Sequence, residues 1–142
     1  MKSQIIRPIA LGIFRKDDTI LVFEGYDKNK NQCFYRSPGG GIEFGEPGHV
    51  ALTREIQEEF NARIMEPHYL GMLESIFWYQ GEKGHEIALL YEARFQDTHW
   101  YCTPTINGYE DTGEPFTCIW KELNSFNPIT PLYPAGLLAM LK

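Results

Sequence analysis

The sequence predicts an α+β fold in one domain, built around a mixed β-sheet. Several apolar runs rich in β-branched and aromatic residues alternate with turn residues, which is typical of strands. A single segment, residues 47–60, has the period of an amphipathic helix and is the one strong helix of the sequence. The 142 residues fit one domain over residues 1–142, because no internal repeat or linker divides them.

The first third of the chain predicts three strands and a glycine turn. Residues 5–14 form an apolar, β-branched run, and a turn at residues 16–18 makes residues 19–23 its hairpin partner. After a polar loop, residues 33–36 predict a short strand. This strand leads through Ser37 and Pro38 into three successive glycines, residues 39–41.

Residues 47–60 predict the main helix. Pro47 suits the first helical position, where a missing N–H costs nothing. Leu52, Ile56 and Phe60 repeat every four residues and form an apolar stripe that faces the core. Asn61 then suits the left-handed backbone conformation that ends many helices.

The second half of the chain predicts a long hairpin and then a loop. Residues 69–79 and 85–95 are the two strands, and the polar residues 80–84 connect them. Residues 97–113 are polar and predict an irregular loop of the length that often carries function. Residues 116–120 predict a last strand, and residues 132–141 predict a short closing helix.

The charge of the chain excludes a long nucleic acid as its partner. The net charge is −6 and the isoelectric point is about 5.2, whereas a phosphate backbone requires a basic patch. A small phosphorylated ligand is compatible with this charge if a divalent cation lies between the two negative partners.

Cysteine usage and hydropathy predict a cytoplasmic protein without a membrane partner. Cys33, Cys102 and Cys118 are odd in number and form no CxxC pair, which argues against a disulfide framework and a zinc site. The N-terminal residues lack the pattern of a signal peptide, and no apolar run approaches the length of about 18 residues that spans a membrane. A homodimer is compatible with the sequence.

Three glutamates of the predicted helix form the most informative feature of the chain. Glu55, Glu58 and Glu59 fall on one narrow face at about 100° per residue. Like charges at this spacing destabilise a helix by a few tenths of a kcal/mol per pair, so the face is either well solvated or holds a cation. The preceding glycines favour a cation, because the backbone carbonyl of Gly40 can approach closely without a Cβ. Such hard oxygen ligands suit Mg²⁺ or Mn²⁺.

Residues 40–62 resemble the signature of the Nudix hydrolase family. That signature is a glycine, five residues, a glutamate, seven residues, and then Arg-Glu-aliphatic-any-Glu-Glu-any-Gly-aliphatic. Seven of its nine specified positions match: Gly40, Glu46, Arg54, Glu55, Ile56, Glu58 and Glu59. Asn61 replaces the usual glycine and Ala62 the last aliphatic residue. Asparagine is the best non-glycine residue for a left-handed turn, so the metal-binding face is hardly affected.

The resemblance implies a Nudix-type α/β/α sandwich and a role for each matched residue. Glu58 and Glu59 are the leading metal ligands, and Glu55 is either a third ligand or the base. Arg54 and Glu46 are an orienting pair that holds the loop to the helix. In several members of the family a loop carboxylate near the last strand is the general base. Glu110, Asp111 and Glu114 are the candidates here, and Glu114 is favoured.

Two residues outside the motif are candidates for contact with substrate, although both are also compatible with a structural role. Tyr79 lies 17 residues past Ala62, a spacing similar to that in the diadenosine polyphosphate branch of the family. An aromatic ring there can stack on a nucleobase. Glu86 opens the second long strand and can face the site.

These observations predict an enzyme, a divalent-metal-dependent pyrophosphohydrolase of the Nudix type. Its substrate is expected to be a small phosphorylated nucleotide, in which a nucleoside diphosphate is linked to another moiety. Nucleotide sugars, ADP-ribose, dinucleoside polyphosphates and nucleoside triphosphates all meet that description. The alternative is a Nudix-like domain that binds nucleotides as a sensor without catalysis, although a sensor does not need the full carboxylate set.

Overall fold

The computed structural model of the protein describes residues 4–142. It contains two α-helices, α1 (Gly48–Phe60) and α2 (Leu137–Leu141), and two short 3-10 helices, Thr98–Cys102 and Leu123–Ser125. The strands are β1 (Arg7–Ile13), β2 (Arg15–Lys16), β3 (Thr19–Asp27), β4 (Gln32–Arg36), β5 (Gly39–Gly41), β6 (His68–Tyr79), β7 (Glu82–Glu92), β8 (Thr105–Tyr109), β9 (Pro115–Glu122) and β10 (Leu132–Tyr133). In residues 4–142 no helix is both long and apolar enough to span a bilayer.

The strands form two mixed sheets, and the predicted α+β class is confirmed. The first sheet has the order β5-β1-β7-β6, in which β1 and β7 are parallel and the other pairs are antiparallel. The second sheet has the order β10-β4-β3-β9-β8, with β2 beside β3 and a parallel pair between β10 and β4. The single mixed sheet that the sequence predicts is therefore divided in two.

The two helices cover opposite faces of the strands, as in an α/β/α sandwich. Leu52 and Ile56 of α1 pack in one apolar core with Ala10 of β1. Leu137 of α2 packs in a second core with Ile9 of the same strand. Because successive side chains of a strand point to opposite faces, the two cores lie on the two sides of β1.

Helix α1 begins one residue later than predicted and ends as predicted. Pro47 is the N-cap rather than the first helical residue, since its ψ of 150° is extended. Its carbonyl accepts the first helical hydrogen bonds, from the N–H groups of Val50 and Ala51. At the other end Asn61 has a φ of 53° and a ψ of 41°, which is the predicted left-handed exit.

Two expectations about the ends of the chain are wrong. The hairpin partner of β3 is the two-residue β2, since the chain leaves the first sheet after Ile13 and β1 pairs with β5 and β7 instead. The predicted closing helix over residues 132–141 is shorter. Residues 132–133 pair with β4. Pro134 and Gly136, which has a φ of 93°, follow them, and α2 begins only at Leu137.

The segment 97–113 is more ordered than the predicted irregular loop. It contains a 3-10 helix and β8, which pairs with β9. Ile106 and Gly108 are the buried positions of β8, and a Cβ on Gly108 would lie 2.8 Å from the carbonyl oxygen of Glu59. A glycine occupies one of the two inward positions because α1 approaches β8 closely, and this hides the strand pattern in the sequence.

Candidate active site

The glycine turn brings the backbone of β5 against helix α1. Gly39 pairs with Leu11 and Gly40 with Ala10 across the antiparallel β1–β5 pair. Gly39 has a φ of 147°, and a Cβ there would lie 2.0 Å from the carbonyl oxygen of Ala10. A Cβ on Gly40 would lie 2.5 Å from the carboxyl carbon of Glu55. Both glycines are therefore needed for the close approach that places the Glu55 carboxylate beside β5.

Arg54 donates five hydrogen bonds, three to residues that precede the helix and two to carboxylates of its own helix. Its Nε and Nη2 donate to the two carboxylate oxygens of Glu46 at 2.8 and 2.9 Å, and Nη2 also donates to the carbonyl of Gly41 at 3.0 Å. Its Nη1 donates to Glu55 at 3.0 Å and to Glu58 at 3.3 Å. These bonds lower the pKa of Glu46 to about 2 and raise that of Arg54. The contacts suit the predicted orienting role of Arg54 and Glu46.

The carboxylates of the helix face lie at different depths. Glu55 is 6% exposed, and burial raises its pKa although the neighbouring Arg54 acts to lower it. Glu59 is half-buried. Burial raises the pKa of Glu59 to about 8, the negative charges of Glu55 and Asp111 add to this shift, and the positive charge of Arg36 opposes it. The carboxylates of the site repel one another, and a bound cation would relieve that repulsion and stabilise the site.

Three carboxylates converge closely enough to hold one metal ion. One oxygen each of Glu55, Glu58 and Asp111 lies within 4.8 Å of the other two. The donors are all hard oxygens, so the site fits Mg²⁺ or Mn²⁺. Glu59, on the same helix, is not a member of this group among the described residues.

Asp111 is one of the loop carboxylates over which the sequence favours Glu114 as the base. It lies in the tight turn between β8 and β9, where the N–H of Glu110 donates to the carbonyl of Glu114 at 2.9 Å. Gly113 closes this turn with a φ of 86°. The turn places Asp111 beside the helix carboxylates, whereas Glu114 is exposed at its far end and remains a predicted base. The Asp-Thr-Gly order of a hairpin turn was the available signal.

A cavity of about 200 Å³ adjoins the carboxylates and is lined by strands of both sheets. The predicted substrate residues Tyr79 and Glu86 both line it, together with Arg36 and Glu110. Glu110, on the cavity wall, directly precedes Asp111 in the chain. Arg36, also on the wall, is close enough to Glu59 for its positive charge to lower the pKa of that carboxyl group. The cavity and the carboxylate group are therefore neighbours. Sequence reasoning missed Arg36, because nothing local distinguishes it from a strand residue.

Two hairpin turns are joined through the buried carboxylate of Asp27, which also lines the cavity. Asp27 is 3% exposed. Its Oδ1 accepts from the N–H groups of Asn29 and Lys30 at 2.9 and 3.1 Å, and its Oδ2 accepts from the N–H of Gln80 at 3.1 Å. The β3–β4 turn is thereby tied to the β6–β7 turn, which connects the two sheets.

Replacing Gly40 with alanine is expected to lower activity far more than it lowers stability. The new Cβ would displace the carboxylate of Glu55, the buried member of the carboxylate group, while the backbone of Gly40 needs no left-handed conformation. The matched control is Gly41→Ala, whose Cβ would meet only the flexible end of Arg7 at 3.2 Å. Steady-state rates and melting temperatures of both variants check this. Equal activity in the two variants would contradict the predicted displacement.

The stability of the metal-free protein is expected to fall as the pH rises from about 4.5 to 8. The folded pKa of Glu59 lies above the unfolded value, so the native state retains a proton that the unfolded state has lost. Between these two values the slope reaches up to about 1.4 kcal/mol per pH unit. Denaturant unfolding in EDTA over this range checks the slope. Glu59→Gln should flatten it, and a slope unchanged in that variant would exclude Glu59 as its source.

Comparisons with known proteins agree with this geometry. The family model described as the NUDIX domain matches residues 6–124. The fold is similar to that of the MutT NUDIX hydrolase from Burkholderia pseudomallei, with 20% identity, a TM-score of 0.60 and coverage of 97% of this chain and 98% of that chain. It is also similar to the MutT protein from Methanosarcina mazei Go1 (16% identity, TM-score 0.62, coverage 99% and 93%). An ADP-ribose pyrophosphatase from Streptococcus suis 89-1591 is similar at 14% identity (TM-score 0.58, coverage 96% and 89%). A comparison with curated proteins finds no match.

Proposed function

Because the chain belongs to the NUDIX domain family, and is therefore a hydrolase of pyrophosphate bonds, we propose that it cleaves the phosphoanhydride of a nucleoside diphosphate linked to another moiety. The observation that carries the proposal is the convergence of three carboxylates beside a cavity lined by aromatic rings. The carboxylates suit the ion that such a cleavage requires, and the rings suit a nucleobase.

The metal of the proposed reaction is Mg²⁺ or Mn²⁺. Glu55, Glu58 and Asp111 would hold it, and Glu59 and the carbonyl of Gly40 remain the predicted further ligands. When bound, a divalent ion neutralises negative charge on phosphoryl oxygens and acidifies water.

The residues around the carboxylates have three proposed roles: to orient the helix carboxylates, to bind a phosphoryl group and to accept a proton. Arg54 orients Glu55 and Glu58 by its two hydrogen bonds from Nη1 and anchors them to the loop through Glu46. Arg36 lies on the cavity wall near Glu59, where it can pair with a phosphoryl group of the substrate. Glu114 is the proposed base that accepts a proton from the attacking water.

The proposed partner of the protein is a small nucleotide, and the proposed compartment is the cytoplasm. Cys33, Cys102 and Cys118 are all unpaired, which suits a reducing environment. The net charge of −6 argues against a nucleic-acid polymer as the partner.

A substrate panel tests the proposed function. ADP-ribose, a nucleotide sugar, a diadenosine polyphosphate and nucleoside triphosphates are incubated with the protein and Mg²⁺ or Mn²⁺, and products are separated by chromatography. Metal-dependent turnover of at least one compound is expected, and EDTA should abolish it. Thermal stabilisation by a nucleotide without turnover of any compound would instead support a non-catalytic sensor.

A further inference from the structure

Two of the polar side chains that line the cavity lie on neighbouring strands, close to its aromatic rings. Ser75 and Glu86 both line the cavity and stand directly opposite each other on the β6–β7 pair. Side chains in this arrangement have Cβ atoms about 4.5–5.5 Å apart. The hydroxyl and the carboxylate are therefore close enough to contact one ligand together.

Ser75 offers its hydroxyl to a ligand in the cavity. The residue is 4% exposed, and no hydrogen-bond partner for its Oγ is present in residues 4–142. Ser37 also has an unpartnered hydroxyl, but its Oγ is sealed within the protein, whereas Ser75 borders the cavity. Because Ser75 lines the cavity and its Oγ is free to donate, a ligand there can accept a hydrogen bond from it.

Glu86 presents a largely buried acceptor beside that hydroxyl. Its side chain is 13% exposed, and its Oε2 pairs with Nη1 of Arg7 at 3.5 Å. In the described part of the chain its Oε1 has no hydrogen-bond partner. An ionised carboxylate only accepts hydrogen bonds, so it selects a ligand that presents N–H groups.

The walls and the size of the cavity select one flat heterocycle. Phe34 makes edge contacts with Tyr79 at 5.5 Å and with Tyr133 at 5.9 Å between ring centroids, and all three rings line the cavity. Its volume of about 200 Å³ is below the roughly 300–1,000 Å³ of sites for drug-sized ligands. A space of this size with aromatic walls suits a single nucleobase.

We infer that Ser75 and Glu86 make this cavity selective for a guanine base. The guanine edge offers, in order, the O6 acceptor, the N1–H donor and the N2 amino donor. The Ser75 hydroxyl donates to O6, and the Glu86 carboxylate accepts from N1–H and N2–H, which is a complete match. Adenine, cytosine and uracil each lack two adjacent donors on that edge. This inference rests on the proposed function for the claim that the cavity takes a nucleotide at all.

Binding of nucleoside monophosphates in EDTA tests the inference without turnover. By calorimetry, guanosine 5′-monophosphate (GMP) should bind about 10-fold or more tightly than adenosine 5′-monophosphate (AMP), the range of a bidentate base contact. Inosine 5′-monophosphate, which lacks the amino group, should fall between them. Equal affinities for GMP and AMP would overturn the inference. Hydrolysis without a guanine preference would also overturn the inference but would leave the proposed function intact. A guanine preference without hydrolysis of any substrate would support the inference and contradict the proposed function.

Variants separate base recognition from a structural role. Glu86→Gln keeps the size of the side chain but loses the second acceptor, so GMP affinity should fall about 10-fold while AMP affinity stays within about twofold. Ser75→Ala should weaken GMP more than AMP. Glu74→Gln is the matched control, because Glu74 directly precedes Ser75 on β6 and its side chain is 60% exposed. Equal losses for both nucleotides in Glu86→Gln would overturn the assignment.

Discussion

Glu55→Gln and Glu58→Gln are each expected to lower kcat/KM by about 10²–10⁴-fold, because each removes one anionic oxygen ligand from the proposed metal site. Metal ions contribute several kcal/mol to transition states of this kind, and about 1.4 kcal/mol corresponds to a factor of ten. Glutamine keeps the volume of the side chain, so the fold should be retained. Rates at saturating Mg²⁺, together with Mn²⁺ affinity by calorimetry, check the expectation.

The control for these variants is Glu66→Gln, since Glu66 is an exposed glutamate beyond the C-terminal end of α1. It should leave both the rate and the metal affinity unchanged. Asp111→Asn and Glu59→Gln then identify the third ligand. The structure groups Asp111 with Glu55 and Glu58, so Asp111→Asn should weaken Mn²⁺ binding more than Glu59→Gln does. Full activity in both Glu55→Gln and Glu58→Gln would show that the ion binds elsewhere.

The parts of the site that the sequence predicts are those encoded by local spacing. Glu55, Glu58 and Glu59 share a face because the helix period fixes their angles, and Asn61 ends the helix as its backbone preference suggests. The prediction needed no knowledge of any distant segment. The structure adds that Glu55 is buried and Glu58 exposed, a difference that arises from the contact of α1 with β5.

The parts that the sequence does not reveal depend on how distant strands meet. Asp111 joins the carboxylate group only because β8 and β9 pair in a register that returns their turn to α1. Ser75 faces Glu86 only because the β6–β7 hairpin is connected by two residues and not by the predicted five. A register change of one residue would point every side chain of β6 to the other face. No pattern within one segment carries that information.

Arg54→Ala is expected to lower the free energy of unfolding by about 1–3 kcal/mol and to reduce activity with it. The change removes five charge-assisted hydrogen bonds and leaves the buried carboxylate of Glu55 without its cation. The value is below that of a fully buried pair, because the Arg54 side chain is 24% exposed. For a chain of this length we expect a fall of roughly 3–10 °C in the melting temperature. Arg63→Ala, which alters an exposed arginine just past the helix, should be neutral.

The pH dependence of this loss distinguishes the Arg54–Glu46 pair from a general packing defect. Hydrogen bonds from Arg54 hold the pKa of Glu46 at about 2, below its unfolded value of about 4.5. The stabilisation from this pair is therefore complete above pH 4.5 and is lost as the pH falls toward 2. The difference in the free energy of unfolding between the parent and Arg54→Ala should narrow over that same range. Arg54→Lys cannot form the planar fork, so its difference from the parent should narrow in the same way. A difference that stays constant between pH 7 and 3 in urea unfolding would mean that lost packing, and not the ion pair, accounts for the effect.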